Sequence, residues 1–131
     1  MLFTKSILSS PRESDGVRIS VMSRHTLSDG FTPNPWITSG KYDEWLKNLA
    51  PPTGLIGDYY KRELPWEKFE ARYQAYIRQP EIASQIKKLA RRALTQDITL
   101  LCIEELGENC HRRILSKECQ RYGPRLVVAH F

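Results

Sequence analysis

The chain has 131 residues, 40% hydrophobic and 27% charged, which suits one domain spanning 1–131 with a modest core and excludes a disordered or low-complexity chain. No apolar run approaches the ~20 residues of a membrane helix, and the opening Met1–Leu8 is too short an apolar stretch, with no small-residue cleavage pattern after it, for a signal peptide, so a cytoplasmic location is expected. The formal net charge of +5 points to anionic partners, either a small phosphorylated or carboxylated ligand or nucleic acid, and the odd count of three cysteines argues for reduced thiols rather than a disulfide framework.

Leu2–Leu8 reads as a first strand, ended by Ser9-Ser10-Pro11. Its short connection to the next strand leaves open an antiparallel pairing. In Val17–Met22, Val17, Ile19 and Val21 alternate with Arg18, Ser20 and Met22, the period of a strand. Leu27–Gly40, with two glycines, two prolines and Trp36, reads as a long loop lying over the domain. Tyr42–Leu49 reads as a short helix with Trp45, Leu46 and Leu49 on one side, broken at Pro51-Pro52.

Leu55–Arg62 is a helical turn or two. Pro65 and Pro80 suit first helical positions. Trp66, Phe69, Tyr73, Tyr76 and Ile77 follow the first at helical spacing, and Ile82, Ile86, Leu89, Ala90, Ala93 and Leu94 follow the second. Lys87, Lys88, Arg91 and Arg92 fall largely on the opposite face. Trp45 and Trp66 are read as core anchors, and the aromatic series as packing rather than a base-stacking platform. Ile98–Ile103 is an almost unbroken apolar run, as in a strand covered on both faces. A helix from about Cys110 to Arg121 and a last strand, Arg125–His130, complete the chain. The order predicts an α/β domain of three layers, with a small, largely parallel sheet of about four strands flanked by helices.

The sharpest chemistry sits between the apolar strand and the last helix, where Cys110, His111 and Arg112 open a helix behind Glu104. Backbone N–H groups and the helix dipole favour an anion there, arginine adds a planar fork for phosphate or carboxylate, and the same field favours a Cys110 thiolate. Ser23-Arg24-His25 follows an earlier strand. In an open parallel sheet ligands bind beyond the carboxyl ends of the strands, so the two segments are expected to share an edge. Arg24, Arg112, His25 and Ser23 would bind the anion, with Cys110, His111 and Glu104 as the chemical groups. Packing alone, anion binding without chemistry and a reactive cysteine all fit the pattern, and so does a nucleic-acid-binding module using the basic helix. No cofactor is indicated. Cys102, Cys110, His111 and Cys119 lack the close paired spacing of structural zinc sites, and Cys102 is expected to point into the sheet, so no metal is expected.

Leu100-Leu101-Cys102-Ile103-Glu104 followed by Cys110-His111-Arg112 resembles the signature of the domain of unknown function 488 family. Asp43–Pro51 resembles the "DEWLKxLAP" stretch of its short, YeaO-like members, and Trp66–Tyr73 resembles their "W-x-x-F-x-x-R-Y" helix. Arg24 resembles the arginine after the family's second strand, although Met22-Ser23 stands where many members carry an aspartate. The resemblance spans nearly the whole chain. It implies an α/β fold and directs attention to the Arg24 and Cys110 segments, without implying a reaction.

Overall fold

The computed structural model describes residues 1–103 and 110–131. Among the described residues five strands form one sheet: β1 (Leu2–Ser6), β2 (Val17–Ser20), β3 (Glu44–Trp45), β4 (Ile98–Cys102) and β5 (Val128–His130). Their order is β3-β2-β4-β1-β5 and every neighbouring pair is parallel. The helices are α1 (Thr53–Lys61), α2 (Trp66–Ile77), α3 (Pro80–Thr95) and α4 (His111–Tyr122). This is the expected α/β architecture with one more strand.

Successive residues of a strand face opposite sides of the sheet, and the two faces are covered differently. Leu2, Ile19, Ile98 and Leu100 belong to the main core, packed with Phe69, Tyr73, Ile77, Ile86, Leu89, Ile114 and Leu115 of the helices. On the other face Leu101 packs with Ile7 and Ile37 in a smaller cluster built from irregular chain. β4 is buried at all five positions because both layers cover it. Leu94, expected on the apolar face of α3, is instead 48% exposed.

The connection from β1 to β2 is a short parallel crossover rather than an antiparallel turn. It carries a 3₁₀ turn, Glu13–Asp15, and is pinned by a buried ionic cluster. Asp15 accepts from Lys5 Nζ, from Arg18 Nη1 at 2.7 Å and from the Arg12 N–H at 3.0 Å. Burial raises the Asp15 carboxyl, and these donors outweigh it, holding its pKa below the ordinary value. Gly16 closes the crossover at φ 63°, and a Cβ there would lie 2.0 Å from the Asp97 carbonyl oxygen, so only glycine fits.

Tyr42–Leu49 is not a helix. Glu44 and Trp45 extend to pair with Ile19 and Ser20, and Lys47–Leu49 forms a 3₁₀ turn. The open edge of β2 decides this: Asp43 and Leu46 N–H groups donate to the Arg18 and Ser20 carbonyls at 2.7 and 2.9 Å, pairs that a helix would forfeit. The last strand is also shorter than expected, starting at Val128. Among the described residues no helix is long and apolar enough to cross a membrane.

Candidate functional site

A cleft of about 540 Å³ opens at the carboxyl ends of β2 and β4. Cys102, Cys110 and His111 line one part of it, Ser23, Arg24 and Thr26 another, and α1 and α2 supply an aromatic wall of Tyr59, Tyr60, Trp66 and Phe69. The two sequence segments expected to share an edge do so. The aromatic series therefore serves two ends. Phe69 and Tyr73 are buried in the core, while Trp66 is only half-buried and stacks on Phe69 at 5.0 Å on the cleft side.

Cys102 does not point away into the sheet. It is the last residue of β4 and has the parity of Ile98 and Leu100, so it faces the helices where α4 begins. Its Sγ lies 3.9 Å from His111 Nδ1, and Cys110 Sγ lies 4.0 Å from the same nitrogen. These three donor atoms all lie within 4.8 Å of one another, and all three residues are buried. The other ring nitrogen, Nε2, is 2.8 Å from the Val21 carbonyl oxygen. A carbonyl only accepts, so Nε2 carries the proton, and in the neutral ring the Nδ1 lone pair is directed at the two sulfurs.

Arg112 is buried and is not among the residues lining the cleft. Its Nε donates to Cys110 Sγ at 3.1 Å and its Nη1 to the Lys5 carbonyl at the end of β1. Its guanidinium thus joins the α4 N-terminus to the neighbouring strand and supports Cys110. His25 turns to the opposite face. It hydrogen-bonds Ser20 Oγ at 2.7 Å and stacks on Trp45 at 3.8 Å between ring centroids. Burial, then the charge of Lys47, lowers its pKa from 6.5, which keeps it neutral. Trp45 is half-buried, outside the main core cluster, and donates its indole N–H to the Met22 carbonyl at 2.7 Å, so it anchors the Arg24 segment rather than the core. Glu104 lies outside the described residues.

Arg24 is exposed and lies across the Asp29 turn. A Cβ on Gly30 would come within 2.8 Å of Arg24 Nη1, so the glycine makes room for the guanidinium. Thr26 Oγ1 is a buried oxygen with no hydrogen-bond partner among the described residues. The basic face of α3 is partly committed, with Arg92 in a two-pronged pair with Glu44 at 2.6 and 2.9 Å and Lys87 5.3 Å from the Tyr122 ring.

A family model described as DUF488-N3a, the active DUF488-N3 subclade, matches residues 2–123. The chain belongs to the domain of unknown function 488 family. No curated protein and no solved structure matches it. The stretches that resemble this family's motifs have physical roles in the cleft. Leu49-Ala50-Pro51 brings Pro51 to the lining while the Leu49 carbonyl accepts from Tyr73 Oη. In the Trp66–Tyr73 stretch, Trp66 and Phe69 form the wall, and Arg72 reaches back to Asp58 of α1 at 2.7 Å. The sequence pattern missed Cys102 as part of the site and read Tyr59 and Tyr60, with the rest of the aromatic series, as core packing, whereas both line the cleft. The strand parity of Cys102 was the available signal.

Proposed function

We propose that the cleft binds a small molecule combining a planar or apolar body with a phosphate or carboxylate group, and that Cys110 and His111 meet its reactive end. The observation that carries this reading is the convergence of Arg24, the aromatic wall and the sulfur–imidazole cluster on one cleft. The wall favours aromatic rings stacked or edge-on. Arg24 supplies a charge-assisted fork for an anion, and Thr26 Oγ1 offers a further polar contact. Cys110, supported by the Arg112 N–H, is placed to act as a thiolate, with His111 Nδ1 as the proton acceptor for a cysteine thiol. Arg112 acts here through Cys110 and the β1 carbonyl rather than by touching the anion. The description of the matched subclade as active agrees with a chemical role for this cluster.

The test is a binding panel of aryl phosphates, mononucleotides, aryl carboxylates and inorganic phosphate, followed by chemical-shift perturbation. Members with a ring should perturb Tyr59, Trp66 and Arg24 together, and Arg24→Ala should weaken them at least ~10-fold, the loss of one charge-assisted contact of about 1.5 kcal/mol. Unchanged binding by Arg24→Ala, or shifts confined to the basic face of α3, would refute the assignment. The second outcome would favour nucleic acid, whose binding falls steeply with salt.

A further inference from the structure

We infer that Cys102, Cys110 and His111 form a binding site for a thiophilic divalent metal ion, Zn²⁺ above all. The sequence spacing argues against a structural zinc site, because Cys102 and Cys110 come from different elements. The fold removes that objection by bringing the end of β4 against the start of α4.

The geometry fits zinc closely. Zn–S bonds of about 2.3 Å and Zn–N bonds of about 2.0–2.1 Å in a tetrahedron put neighbouring donors roughly 3.5–3.8 Å apart. His111 Nδ1 is 3.9 and 4.0 Å from the two sulfurs, and all three donors lie within 4.8 Å. Closing on a metal therefore needs movements of less than about 1 Å. A disulfide would need the sulfurs at about 2.05 Å, a larger rearrangement that leaves the imidazole unused.

The surroundings also fit. The His111 Nε2–H donates to the Val21 carbonyl, the outer hydrogen bond that orients a metal-binding histidine and fixes the tautomer whose Nδ1 carries the lone pair. The Arg112 Nε–H at 3.1 Å from Cys110 Sγ is the donor a metal-bound thiolate accepts. Two thiols each release a proton to bind Zn²⁺, and the resulting Cys₂–Zn centre is neutral, as suits side chains only 2–8% exposed. Two sulfurs and one imidazole select a soft or borderline ion over Mg²⁺ or Ca²⁺. All three residues line the cleft; among the described residues they supply three ligands, and a fourth, from the protein or from a bound molecule, completes the tetrahedron.

The site does not depend on the anion-binding reading, but with metal bound Cys110 and His111 Nδ1 serve as ligands and not as nucleophile and base, so the reactive-thiolate role belongs to the metal-free chain. One experiment separates the metal site from anion binding. The full chain is stripped with a chelator under reducing conditions and titrated with Zn²⁺ and, separately, Co²⁺. One zinc per chain by elemental analysis is expected. Co²⁺ should give the visible bands of a tetrahedral ion with a thiolate-to-cobalt band in the near ultraviolet. Cys102→Ser, Cys110→Ser and His111→Ala should each weaken Zn²⁺ binding by ~100-fold or more, while Cys119→Ser and Arg24→Ala keep it. A stripped wild-type chain that binds zinc no more tightly than ~1 µM, a six-coordinate cobalt spectrum, or loss of binding in Cys119→Ser would overturn the site. The wild-type cobalt spectrum decides even if a variant fails to fold. Binding of an aryl phosphate to the stripped chain tests the anion reading separately.

Discussion

Arg112 offers the clearest separation between a residue that binds a ligand and one that builds the site. Its guanidinium is 2% exposed and donates from Nε to Cys110 Sγ and from Nη1 to the Lys5 carbonyl. A hydrogen bond from a charged donor contributes roughly 1.5–3 kcal/mol, so two of them sum to about 3–6 kcal/mol. Removing the side chain also relieves the cost of holding a charge away from water, which leaves a net loss of about 2–4 kcal/mol for Arg112→Ala. Lysine reaches one acceptor but not both, so Arg112→Lys should lose about 1–2 kcal/mol. Urea unfolding measures both, and an unchanged denaturant slope would locate the loss in the native state. At roughly 3–5 °C per kcal/mol for a chain of this size, the alanine variant should melt about 10 °C lower. The reasoning is refuted if Arg112→Ala lies within ~0.5 kcal/mol of the parent. If stability held while aryl phosphate binding collapsed, Arg112 would be the anion receptor after all.

Cys110 should be the first cysteine alkylated by iodoacetamide in metal-stripped protein at neutral pH, with Zn²⁺ slowing it. Cys119 should be the last, since burial and then Glu118 push its pKa up to about 12, and mass-resolved peptide mapping reads the order. Asp15→Ala should cost about 3–5 kcal/mol, because it strands the buried Arg18 guanidinium without its carboxylate; a loss under ~1 kcal/mol in urea would show the cluster to be dispensable. For His25 the folded pKa lies below the ordinary 6.5, so on acidification the unfolded chain takes up this proton first. Stability should therefore fall as pH drops below 6.5 and level off below the folded value. His25→Gln should flatten that part of the profile, and an identical slope in the variant would assign it elsewhere.

Local patterns were enough for the elements whose stabilisation is local or fully periodic. Pro80 and the apolar positions of α3 predict the helix, because a 3.6-residue stripe buries the same face wherever the helix docks. The unbroken Ile98–Cys102 run predicts a strand covered on both faces. Two strand ends carrying Arg24 and Cys110 predict one shared edge, because parallel strands place all their carboxyl ends together. What the tertiary structure decided were the features set by partners distant in sequence. Glu44-Trp45 became a strand because β2 offered unpaired carbonyls. His25 left the cleft because Ser20 and Trp45 hold it on the other face. Arg112 turned inward because the end of β1 presents the Lys5 carbonyl. Cys102 joined Cys110 and His111 because strand parity aims it at the start of α4. Strand pairing and side-chain direction depend on which backbone groups lie alongside, and that is fixed only when the chain has closed on itself.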